Sequence, residues 1–157
     1  MRYQKPGMAL PGGRRWKLAR LLRLTTVTGL LALTLCDLAR FDEAEEFSEK
    51  SRTLAAEDDF ASQAVWRMAK ARVLANRGEF DGALTLADEA IAINERTDYL
   101  VWQGDSYEVR GIVLKAAGRG EDARAAFDEA LARYERKGNV PAVVRIRAQI
   151  EGLIGLL

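Results

Sequence analysis

The feature that most constrains this chain is a self-similarity with a period near 40 residues. Three segments align on an alanine, Ala44, Ala83 and Ala123, at spacings of 39 and 40 residues. Nine positions before each lie Leu35, Leu74 and Leu114, and twelve before lie Ala32, Ala71 and Gly111. Five before lie Ala39, Gly78 and Gly118, and three before lie Phe41, Phe80 and Gly120. Four after come Ser48, Ala87 and Phe127, and seven after come Ser51, Ala90 and Ala130. A period of this length marks an architecture in which one small unit is copied and stacked.

The unit is a helical hairpin. Proline occurs only at Pro6, Pro11 and Pro141, so nothing between Phe41 and Val140 is barred from helix by proline. Ala, Leu, Glu and Arg dominate that stretch, and all are strong helix formers. No strand-like alternation of β-branched and aromatic residues is present. Gly78 and Gly118 end one helix and open a turn, where a left-handed backbone costs glycine little. The small residues of the alignment let two antiparallel helices approach closely, and the apolar ones fill the space between. One hairpin cannot bury its apolar face alone, and about three stacked repeats are the minimum for stability.

The chain is therefore expected to be all-α, an α-solenoid of three antiparallel helix hairpins plus a C-terminal helix. Helices are predicted near 18–38, 41–55, 60–77, 80–94, 98–117, 120–136 and 140–155. Asp58 and Asp59 suit the cap of the third, and Asn139-Val140-Pro141 suits the start of the last. The hairpins divide at about 24–57, 60–97 and 98–138, with residues 1–23 a flexible basic leader and 139–157 a packing or capping helix.

The run Tyr107, Gly111, Leu114, Gly118, Ala123, Phe127 and Ala130 resembles the tetratricopeptide repeat pattern, and Ala71, Leu74, Gly78, Phe80, Ala83, Ala87 and Ala90 match it a second time. Arg67 stands where a large aromatic is usual, Ala39 replaces the glycine of the first repeat, and the closing proline is missing from all three. The resemblance implies a right-handed solenoid whose first helices line a concave, peptide-binding groove. It implies a non-catalytic protein–protein interaction scaffold. A narrower resemblance, carried by FDEAEEFSEKSRTLAAEDDFASQAVWRMAKARVLANRGEFDGAL and GRGEDARAAFDEALARYERKGNV, is to the C-terminal repeat regions of bacterial signalling proteins with nucleotide cyclase and ATPase domains. Those catalytic domains are absent from this sequence, which reads as a free-standing or truncated relative.

Charge is unevenly divided. Residues 1–23 hold seven basic groups and no acid, leaving 17 basic and 23 acidic groups on the rest, a net of −6. A basic arm on an acidic body could serve a nucleic-acid-linked regulator, the alternative function. No basic patch continues into the body, so nucleic acid is the disfavoured partner. Leu24–Cys36 is uncharged over about 13 residues, which is short of the roughly 20 a membrane span needs. Residues 14–36 could act as an export signal, and Gly13-Arg14-Arg15-Trp16 hints at a twin-arginine one. The repeat register favours the first helix of a hairpin instead, in a cytoplasmic protein. The single Cys36 permits no internal disulfide and reads as a small buried residue.

Several chemistries lack their residues. There is no histidine for acid–base or metal work. The Gly118-Arg119-Gly120-Glu121-Asp122-Ala123 match to a dinucleotide motif follows a helical stretch rather than the strand that motif needs. The carboxylates Asp42, Glu43, Glu45, Glu46 and Glu49 lack the alternating spacing of a calcium loop and read as a solvated helix face. Neither cofactor nor metal is expected. Candidate groove residues are Met68, Arg72 and Asn76 on the second hairpin and Asp105, Glu108, Ile112 and Lys115 on the third. Of these, Arg72, Asn76 and Lys115 could hold a carboxylate, although Asp105 and Glu108 oppose an anion. Trp66 and Trp102 read as packing residues. The apolar last helix, through Ile150, Leu153, Ile154 and Leu157, offers a candidate self-association surface.

Overall fold

A computed structural model describes residues 12–154 of the chain, and side chains over 24–153. These residues form seven helices, α1 (Gly12–Asp37), α2 (Phe41–Leu54), α3 (Phe60–Asn76), α4 (Phe80–Asn94), α5 (Leu100–Ala116), α6 (Gly120–Lys137) and α7 (Val140–Ile154). Consecutive helices pair as hairpins, α1 with α2, α3 with α4 and α5 with α6. The first helices of the hairpins also pack on one another, α1 on α3 and α3 on α5, and α7 closes the stack against α6. The architecture is an all-α helical repeat solenoid.

The turns inside the hairpins are built alike. After α3 the backbone passes through Gly78 at φ +79°, where the Gly78 N–H donates to the Ala75 carbonyl and the Glu79 N–H reaches back to the Leu74 carbonyl at 3.0 Å. The same paired bonds close α5 at Gly118 and α6 at Gly138. They satisfy carbonyls that a helix end would otherwise leave open. The first hairpin uses the same turn with a side chain in it: Ala39 sits at φ +56°, and the Arg40 N–H bonds the Leu35 carbonyl at 2.9 Å. Asp59 caps α3 by accepting from the Ser62 N–H at 3.2 Å, and Asn139 caps α7 through the Ala142 N–H at 3.3 Å.

The aligned small residues are the helix contacts. Ala32, Ala44, Ala71, Ala83 and Ala123 are fully buried. At Gly111 an added Cβ would lie 2.5 Å from the Phe127 ring, and at Gly104 it would lie 2.7 Å from that of Tyr134. The α5 backbone thus rests on two aromatic rings of α6, both closed to solvent. Trp66 and Trp102 are half-buried, and Trp102 packs on the core of the second hairpin. Cys36 is buried, and burial pushes its thiol up to about 11. It is inert as a nucleophile at neutral pH.

Two expectations change. The first helix begins at Gly12, so residues 12–23 continue α1 and the boundary placed at 23 is no break in the helix. The reason is local, because no proline or glycine interrupts the run from Arg14 to Thr28. The remainder of the expected leader, residues 1–11, lies outside the described residues. Ile150 and Leu153 are core rather than free surface. They are buried with Ala142 and Ile146 against Phe127, Ala130 and Tyr134. Helical spacing turns this face of α7 onto the third hairpin and leaves Val140 and Val144 exposed instead. The side chains of Ile154 and Leu157 lie outside those described.

Candidate functional site

The first helices and α7 together line one concavity of about 250 Å³. Leu33 and Asp37 come from α1, Met68 and Arg72 from α3, Asp105, Glu108, Val109 and Ile112 from α5, and Arg145 from α7. The starts of α3, α5 and α7, at Phe60, Leu100 and Val140, keep a 40-residue spacing. By this register α7 occupies the place of a fourth first helix, and Arg145 stands one period after Asp105.

The concavity has an apolar wall and a charged floor. Leu33, Val109 and Ile112 supply the wall. Met68 is closed to solvent, with the Ser106 hydroxyl 3.6 Å from its sulfur. Arg72 is largely buried and pairs with Asp37, and its Nε has no acceptor. Arg145 grips Glu108 with two nitrogens, Nε to Oε1 and Nη2 to Oε2, each at 2.7 Å. This is the bidentate geometry in which a guanidinium binds a carboxylate most strongly.

Tyr134 joins the second pair to a third carboxylate. Its hydroxyl oxygen lies 2.5 Å from Asp105 Oδ1 and 2.8 Å from Glu108 Oε2. One hydroxyl carries one proton, so it cannot donate fully to both. Glu108 has Arg145 as well, whereas the polar partner of Asp105 is Tyr134. Burial pushes the Asp105 carboxyl up to about 6, and the nearby Glu108 charge adds to this. The Tyr134 hydroxyl and Arg145 act in the opposite sense. Tyr134 itself is pushed well above the ordinary phenol range by burial and by the two carboxylates.

A family model described as tetratricopeptide repeat matches residues 62–136. The second and third hairpins match the tetratricopeptide repeat. The crystal structure of a tpr-like protein from Chlorobium tepidum superposes with a TM-score of 0.63 at 20% sequence identity. The match covers 86% of this chain and 97% of that one, and shows a shared fold. No curated protein matches the chain.

Within the helical stack, five of the seven candidate groove residues meet in the concavity: Met68, Arg72, Asp105, Glu108 and Ile112. Asn76 does not. It is the last residue of α3 and is exposed outside the concavity. Lys115 also lies outside it, with its ammonium donating to Gln149 at 3.1 Å. The carboxylate clamp envisaged from Arg72, Asn76 and Lys115 is therefore not assembled. Its three members are respectively ion-paired, displaced and hydrogen-bonded to α7. Leu33, Asp37, Val109 and Arg145 join the concavity without having been singled out in the sequence. The 40-residue register, extended one unit each way, is the signal that reaches α1 and α7.

Three carboxylates of the acidic run on α2 are closely paired. Glu43 pairs with Arg40 and Glu49 with Arg52. Glu45 crosses to the third helix and its C-terminal cap, where Arg77 just past α3 and Lys70 on α3 hold its carboxyl down to about 2. Among the described residues no group of three or more ligating side chains is placed to hold a metal ion. No described helix is long and apolar enough to cross a membrane.

Proposed function

We propose that this chain is a non-catalytic protein–protein interaction module that receives an extended peptide or docking segment in the concavity of its first helices. Repeats of this family generally mediate protein–protein interaction, which supports the class of function. The observation that carries the reading is the concavity itself: four helices contribute to it, and it combines an apolar wall with oriented charged groups. Concave sites of this composition bind through the wall and gain specificity from the few polar groups. The packing of Leu24–Asp37 into the first hairpin supports its use as a repeat helix, and with it a cytoplasmic setting. The module would serve as a docking part of a signalling system, as the narrower sequence resemblance implies.

The test is selection of a random nonapeptide library on the full chain, followed by binding measurements with Ile112→Arg. Ile112 is half-buried in the concavity wall, so arginine there fills the site without entering the core. Selected peptides are expected to bind the variant roughly tenfold or more weakly, as for loss of a central contact. Equal binding to both proteins would place the peptide site elsewhere.

A further inference from the structure

The charges of the concavity are unevenly matched, and the imbalance has a sign. Three carboxylates, Asp37, Asp105 and Glu108, face two guanidinium groups, Arg72 and Arg145. Arg145 is held bidentately by Glu108, and Arg72 pairs through one nitrogen with Asp37, leaving its buried Nε as the one guanidinium donor of the concavity without an acceptor. An anionic ligand would find only that buried Nε without breaking a pair, and it would meet three carboxylates. Asp105 forms no ion pair, its cationic neighbour Arg145 being held by Glu108. It shares a single phenolic proton with Glu108, lies partly buried and still lines the open concavity.

We propose that the concavity selects a cationic side chain, a Lys or Arg of an extended peptide segment, and seats it against Asp105. This rests on the reading of the concavity as a peptide site and adds the charge of the ligand. The physical case is complementarity. An ammonium or guanidinium beside Asp105 supplies the missing countercharge at low local dielectric, where a charge-assisted hydrogen bond is strongest. The apolar stem of Lys or Arg would lie along Val109 and Ile112, as such stems do against apolar surface. Tyr134 on α6 and Glu108 and Arg145 on α5 and α7 hold Asp105 in place, so the carboxylate is pre-positioned. Holding a desolvated carboxylate without an ion-pair partner works against stability in the free protein, and a cationic ligand reverses that effect.

The experiment compares peptides selected from a random nonapeptide phage library on the full wild-type chain and on the Asp105→Asn chain. Wild type is expected to enrich peptides with Lys or Arg at one fixed position. A synthetic peptide of that sequence should bind Asp105→Asn roughly tenfold or more weakly, the loss expected for one charge-assisted bond. Asp105→Glu, which keeps the charge, should retain the basic preference, and melting curves of both variants check the fold. Enrichment of peptides without a basic residue, or with an acidic one, overturns the cationic assignment and leaves the groove reading standing. No enrichment of any peptide removes both.

Discussion

Replacing Gly111 by alanine adds one methyl group to the closest contact between α5 and α6. The new Cβ would stand 2.5 Å from two carbons of the Phe127 ring and 2.9 Å from a third. Ordinary carbon–carbon contact begins about an ångström further out. The ring cannot swing aside, because Phe127 is fully buried among Leu114, Ala123, Ala130 and Ile146. The helices must part or the ring must leave its rotamer, and overpacking of this kind costs about 1–3 kcal/mol. Alanine recovers about 1 kcal/mol of helix propensity relative to glycine, so a net loss of up to about 2 kcal/mol is expected. Gly82→Ala is the matched control. Gly82 is exposed on α4, and its added Cβ would meet only the end of the Leu74 side chain at 3.4 Å. There the propensity gain stands alone, and a stabilisation of about 0.5–1 kcal/mol is expected. Urea denaturation followed by circular dichroism at 222 nm reads both. A Gly111→Ala chain as stable as Gly82→Ala would refute the close α5–α6 contact and the repeat alignment that rests on it.

Other perturbations test separate parts of the structure. Ala39→Gly relieves an alanine held at φ +56° and should stabilise the chain by about 0.5–1 kcal/mol, once the entropy of glycine is set against the left-handed strain. Ala83→Trp overpacks a fully buried helix contact and should lower stability by about 1–3 kcal/mol, seen as a lower melting temperature. Asp105→Asn should stabilise the free chain at pH 7.5 by about 1–3 kcal/mol. The folded carboxyl sits near 6 against an ordinary 3.8, so folding favours its protonated form. Its ionisation therefore weakens the fold progressively as pH rises from about 4 to 6. The difference from wild type should vanish near pH 4, and a difference that persists there would show a cause other than charge.

The fold was more legible in the sequence than the site. Helices α2 to α7 begin and end within about two residues of where turn glycines, caps and the missing prolines put them, because those signals are local. The start of α1 was not legible, since no helix breaker separates Arg14 from Leu24 and a basic stretch reads equally as leader or helix. The four-residue spacing of Met68 and Arg72 located the inner face of α3, but continuing it to Asn76 overshot. That face leaves the concavity at the end of the helix. The pairing of Arg72 with Asp37 and of Arg145 with Glu108 joins residues 35 and 37 apart in sequence. Such pairs depend on how hairpins stack, which periodicity within one helix does not encode. The same holds for Ile150 and Leu153, whose apolar character suggested a surface and whose position makes them core.

The central claim is that the first helices of the repeats form the binding face. It is tested most directly by backbone amide chemical shifts of the full chain titrated with a peptide selected from the nonapeptide library. The shifts are expected to concentrate on α1, α3, α5 and α7 around Leu33, Arg72, Asp105, Ile112 and Arg145. Shifts concentrated on α2, α4 and α6, with the concavity unperturbed, would contradict it.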